Sequence, residues 1–182
     1  MQIVRVPEDQ YTFPKELLWC LILALAIVLQ YVFTMYFVTM RARISIYTRE
    51  FMSQFDDEHK QAFPGQETAP QFGYPDTGNG YYSKKLSYAD WFKMNNAQRC
   101  QINFLEHINF LILGTLIVAF YYPVAAIVLQ SFIFLGRLLF TIGYTCSGPS
   151  GRIVGALIMD LAILVTFVML VVSCVMLQKE QE

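Results

Sequence analysis

Three residues of one segment, Arg99, Asn103 and Glu106, stand at i, i+4 and i+7 within Gln98–Glu106. On a helix they project within an arc of about 60°. The segment opens a long apolar run, so this charged stripe must face protein, water or a ligand rather than lipid. One reading makes it a wall of a polar site at the membrane surface. The other makes it a helix end that snorkels at the interface, with Arg99 paired to Asn103 within the helix. His107, beside Glu106, reads as a polar packing residue.

Two further charges interrupt apolar sequence. Arg137 and Asp160 lie on either side of the turn Ser147-Gly148-Pro149-Ser150-Gly151. In an antiparallel hairpin both fall roughly 16 Å from that turn by helical rise. An isolated charge at that depth costs at least ~3 kcal/mol. A salt bridge between them is therefore expected, either as a structural pair or with Asp160 orienting Arg137 toward the polar site. A subunit contact at Asp160 is the remaining alternative.

The elements that carry these residues follow from composition. Of 182 residues, 55% are hydrophobic and only 15% are charged, which suits an integral membrane protein. The formal net charge of -1 supplies no basic field for nucleic acid. Cys20, Cys100, Cys146 and Cys174 stand singly, and the histidines are His59 and His107. Neither a disulfide framework nor a metal site is indicated. The expected class is all-α, a four-helix up-down membrane bundle with helices at about 15–50, 88–122, 124–145 and 152–177. Residues 1–16 form an N-terminal polar tail, 17–178 the transmembrane domain, and 179–182 a C-terminal tail. The run Leu17–Met40 reads as a retained first span, since it is too long for a signal-peptide core and lacks a basic leader. Tyr121 and Tyr122 read as an aromatic belt at the far interface.

The stretch of about 53–87 is different. It holds Pro64, Pro70, Pro75 and turn chemistry at Tyr74-Pro75-Asp76 and Gly78-Asn79-Gly80, with no surviving period. It reads as a long polar loop whose aromatic content argues against simple disorder. Arg41, Arg43, Arg49, Lys60, Lys84, Lys85, Lys93, Arg99, Arg137 and Arg152 fall on or near the first and third loops, against Arg5, Lys15 and Lys179 on the other side. The positive-inside rule then puts those two loops on the cytoplasm-like side.

Two segments together resemble a known family. They are Gln98-Arg99-Cys100-Gln101-Ile102-Asn103-Phe104-Leu105-Glu106 and Gly136-Arg137-Leu138-Leu139-Phe140-Thr141-Ile142-Gly143-Tyr144. The second is followed by Pro149-Ser150-Gly151-Arg152 and Gly155-Ala156-Leu157. Order and spacing are similar to the membrane-associated proteins of eicosanoid and glutathione metabolism (the MAPEG family), type-3 microsomal glutathione transferases above all. The resemblance covers residues 95–175 well, the first helix loosely, and neither the N-terminal tail nor most of the first loop. It implies a homotrimer in the endoplasmic reticulum or mitochondrial membrane that binds glutathione between protomers near the cytoplasmic face. By position, Arg99, Gln101, Asn103 and Glu106 match glutathione-holding residues of the second helix. Arg137 and Tyr144 match residues of the third, and Arg43 an arginine of the first. Arg152 matches the arginine that stabilises the glutathione thiolate. The chemistry is coherent: guanidinium forks take carboxylates, Glu106 takes the ammonium, and an arginine beside a thiol makes it nucleophilic.

The resemblance implies a glutathione transferase or peroxidase acting on lipophilic electrophiles or lipid hydroperoxides from the bilayer. There are departures. Phe140 stands where many active members have Tyr, His107 where an aromatic is usual, and Ile153-Val154 where relatives are more basic, while Asp160 is an unexpected acid. They support a second reading, a non-catalytic subunit that keeps the fold and bound glutathione or lipid and joins a larger membrane complex through the enlarged loop.

Overall fold

The apolar runs set four long helices, and a computed structural model, which describes residues 14–181, shows them. Helix α1 runs Lys15–Ile46, with a π-helical stretch over Thr34–Met40. The first loop then carries two short helices, α2 (Arg49–Ser53) and α3 (Asp56–Ala62). Helix α4 spans Tyr88–Tyr121, α5 Pro123–Ser147 and α6 Ile153–Gln181. No strand occurs among the described residues. Each of the four long helices is long and apolar enough to cross a membrane. Of the expected N-terminal tail, residues 1–16, positions 1–13 lie outside the described residues, as does Glu182, while Lys15 and Glu16 belong to α1.

Ends follow local chemistry. Ser87 caps α4, its hydroxyl accepting from the Asp90 N–H at 3.1 Å. Pro123 starts α5 one residue after α4 ends, so the two helices must run antiparallel side by side. Three boundaries differ from the sequence reading. The first helix stops at Ile46 rather than near 50, because Tyr47 leaves helical geometry (φ -87°, ψ 61°) and Thr48 caps α2. The third begins at Pro123 and reaches Ser147. The fourth continues to Gln181, so the expected C-terminal tail is helical there.

Interhelical polar contacts join the bundle at several depths. Gln130 Nε2 donates to Thr115 Oγ1 at 3.0 Å, Gln30 Nε2 to the Phe134 carbonyl at 3.3 Å, and Thr39 Oγ1 to the Ala97 carbonyl at 3.0 Å. Between them Ile27, Phe104, Ile108, Leu111, Ile133, Met159 and Ala162 form the main core. Leucines, valines and phenylalanines cover the outside, as a lipid-facing surface requires. Helices α5 and α6 touch backbone to backbone. A Cβ at Gly155 would meet the Gly136 carbonyl oxygen and the Phe140 Cα, each at 2.6 Å.

The first loop is more structured than its aperiodic sequence indicates. Tyr47, Met52, Phe55, Ala69 and Met94 form a buried cluster that seats it on the ends of α1 and α4. Its aromatic residues pay the ordering cost that the polar ones cannot. Asp76 is the polar centre. Its carboxylate accepts the N–H groups of Gly78 (2.7 Å), Gly80 (2.8 Å) and Ser83 (2.8 Å) and the Ser83 hydroxyl (2.7 Å). Burial by itself would raise the Asp76 carboxyl, but these donors outweigh it and hold the group below its usual range.

Two expectations follow. Because the folded carboxyl titrates below its unfolded value, Asp76 stabilises the loop fully above the ordinary carboxylate pKa of about 4. That contribution falls away as pH drops through the lower folded value. Amide-exchange protection at Gly78, Gly80 and Ser83 should hold steady from neutral pH down to about 5, once intrinsic exchange is corrected, and Asp76→Ala should remove it at every pH. Gly155→Leu should force α5 and α6 apart and cost about 1–3 kcal/mol, read as a lower melting temperature in detergent.

Candidate functional site

The polar stripe meets α5 at Asn103. Arg137, 0% exposed, donates Nη1 to Asn103 Oδ1 at 2.8 Å and Nη2 to the Asn103 carbonyl at 3.0 Å. Its guanidinium carbon also lies 4.5 Å from the Phe104 ring centre and 5.6 Å from that of Phe140. Its Nε is buried without a partner. His107 Nδ1 donates to the same Asn103 carbonyl at 2.7 Å, so one residue of α4 receives two side chains.

Beside this clamp is a cavity of about 300 Å³ between α4, α5 and α6, lined by Asn103, His107, Phe140, Arg152, Met159 and Asp160 among others. Arg152 is half-buried there. Its guanidinium carbon lies 5.4 Å from the Tyr144 ring centre and 5.8 Å from the Phe140 ring centre. Cys100, Phe140 and Tyr144 pack together on the inner side.

The sequence-predicted residues divide accordingly. Asn103, Arg137, Tyr144 and Arg152 are brought together. Arg99 and Glu106 sit exposed on the outer ridge of α4, and neither is ion-paired among the described residues. The expected Arg99–Asn103 pair does not form, because Asn103 is committed to Arg137. Gln101 is half-buried and, two residues from Asn103, points about 160° away from it around the helix. Arg43 is not brought to this cluster. It is 4% exposed, donates Nη1 to the Phe72 carbonyl at 3.1 Å and lies over the Tyr74 ring at 4.5 Å, holding the first loop. That contact also secures Phe72 in its positive-φ conformation of 59°.

The expected Arg137–Asp160 salt bridge is corrected by the structure. Arg137 is solvated by an amide, a carbonyl and two ring faces, while Asp160 is exposed and lines the cavity with Arg152. Equal depth along a hairpin does not set facing, which depends on rotation about each helix axis. Sequence reasoning missed the two rings around Arg137. The available signal was Phe140 at i+3 from Arg137 and Phe104 beside Asn103.

Comparison with known proteins agrees with this architecture. The model of the MAPEG family matches residues 17–172. No match is found among curated proteins or among solved structures. A match from the start of the first span through most of the fourth, on a chain that folds into four membrane-length helices, establishes that this protein belongs to the MAPEG family.

Proposed function

We propose that the protein is a membrane-bound glutathione transferase or peroxidase that uses lipophilic electrophiles or lipid hydroperoxides. The observation that carries this reading is the set of charges that have no ion-pair partner among the described residues around one cavity: Arg152 inside it, and Arg99 and Glu106 on the adjoining ridge. Unpaired charges at the edge of a membrane call for a partner. Glutathione carries the complement, two carboxylates, an ammonium and a thiol.

The residues present fit that group. Arg99 takes a carboxylate and Glu106 the ammonium. The Asn103 amide nitrogen donates to the peptide, since its oxygen is held by Arg137. Arg137 is thus a positioning residue rather than a carboxylate ligand. Arg152 faces the thiol and favours its thiolate. The sulfur pair then attacks an electrophilic carbon, forming C–S, and the displaced group leaves with the broken bond's electrons. With a hydroperoxide, the thiolate takes the distal oxygen, the alkoxide leaves and is protonated, and a second glutathione reduces the sulfenic acid to give the disulfide and water.

A 300 Å³ cavity open at the protomer surface is a partial enclosure for a tripeptide. A homotrimer completes it, with Gln101 turned toward a neighbouring protomer's site. The basic residues of the first and third loops support a cytoplasm-like orientation for that end, in endoplasmic reticulum or mitochondrial membrane.

One observation favours the second reading, a non-catalytic subunit of a larger membrane complex. Asp160 lines the same cavity as Arg152, and its negative charge opposes a thiolate there. Two variants separate the readings. Glutathione bound to the purified oligomer should show thiolate ultraviolet absorbance. Arg152→Ala should abolish that signal and lower turnover about 10²–10³-fold. Asp160→Asn should enlarge the signal and shift thiol ionisation to lower pH. A folded oligomer that binds no glutathione at millimolar concentration overturns the enzyme reading.

A further inference from the structure

We propose that a second cavity, distinct from the glutathione site, holds one anionic phospholipid. It measures about 880 Å³ and lies between the ends of α1 and α5 and the first turns of α4. Its charged lining residues are Arg41 and Lys93, and no acid lines it. Lys93 Nζ donates to Ser45 Oγ at 3.2 Å, which holds the ammonium on the α1 side, at the residue four positions after Arg41. Arg41 is exposed and has no ion-pair partner among the described residues. Two cations lining one cavity at a helix end suit a phosphate.

The depth profile matches a lipid rather than a free anion. Arg41 ends the apolar run of α1, so it lies at the level of lipid headgroups. Phe37, which also lines the cavity, is one turn deeper, about 6 Å. Phe33 continues the track another turn and stacks on Phe37 with ring centres 4.6 Å apart. Both rings are more than half exposed, at 56% and 60%. Phe92 supplies the opposite apolar wall. The layout is cationic at the rim and aromatic below, which is the order of headgroup and acyl chain. The π-helical stretch Thr34–Met40 contributes Phe37 and Val38 to this wall, a device often found at ligand sites.

Cys146 also lines the cavity and is exposed, whereas Cys20 and Cys100 are buried. In a Cys174→Ser background it reports occupancy by its rate of maleimide labelling. The full chain would be placed in nanodiscs of phosphatidylcholine alone or with phosphatidylglycerol, and lipids retained after detergent extraction counted by native mass spectrometry. Phosphatidylglycerol should slow Cys146 labelling at least fivefold and be retained preferentially. Arg41→Gln with Lys93→Gln should remove both effects while the oligomer stays intact. Equal retention of both lipids overturns the proposal. So does protection by millimolar inorganic phosphate or glycerol phosphate without an acyl chain, which would mark a free-anion site. Slow labelling in every lipid and in the double variant would mean that a neighbouring protomer covers the cavity, and would overturn it as well.

Discussion

A guanidinium that no water reaches dictates how this bundle is put together. Arg137 is fully buried at a depth where an unsatisfied charge is expensive. The protein answers with no carboxylate within salt-bridge distance among the described residues; Glu106 and Asp160 act on the charge only from farther away. It uses the side chain and carbonyl of Asn103 and the faces of Phe104 and Phe140. Those groups lie on two helices, so the arrangement also fixes the rotation of α4 against α5. A shift of either helix by one residue would turn its group by about 100° and strand the charge. The same rotation leaves Arg99 and Glu106 outward and exposed.

The α5–α6 turn then sets where Arg152 stands. Helices normally keep 8–10 Å between axes, but here Gly136 and Gly155 let the backbones meet, and Gly143 faces Gly151 in the same way. The hairpin is drawn tight up to the turn. Arg152 emerges from that turn beside Tyr144 and Phe140 rather than drifting into solvent. Side chains at those glycines would widen the hairpin and move the guanidinium away from Asn103, with no change in any residue that touches a ligand.

Much of this was legible in the sequence. The four spans, their antiparallel order and the polar stripe follow from apolar run length, Pro123 and the i, i+4, i+7 spacing. The sequence also places Asn103 and Arg137 in segments that resemble one family. What it does not contain is rotation about the helix axis. Asp160 and Arg137 share a depth, yet Asp160 turns into the cavity and Arg137 into the core. Arg43 was placed at the site by its match to a first-helix arginine of the family it resembles, but its neighbours Tyr74 and Phe72 belong to a loop whose fold no periodicity announces. That loop is organised by Asp76, one carboxylate collecting donors from Gly78, Gly80 and Ser83, a pattern visible only once the chain is folded back on itself.

One hydrophobic cluster separates the two cavities. Cys100, Phe140 and Tyr144 pack with Val38 and Ala156. Val38 lines the larger cavity, while Phe140 and Ala156 line the smaller. The wall is therefore at least two side chains thick. Packed interiors transmit displacement rather than absorb it, so a chain lying along Phe37 and Val38 presses on the rings that flank Arg152. Water entering from the α1 side would meet the same wall before it reached a thiolate. A lipid in the larger cavity would therefore act on the smaller one only through these packed side chains, by displacing the rings beside Arg152, and not by closing its opening to water.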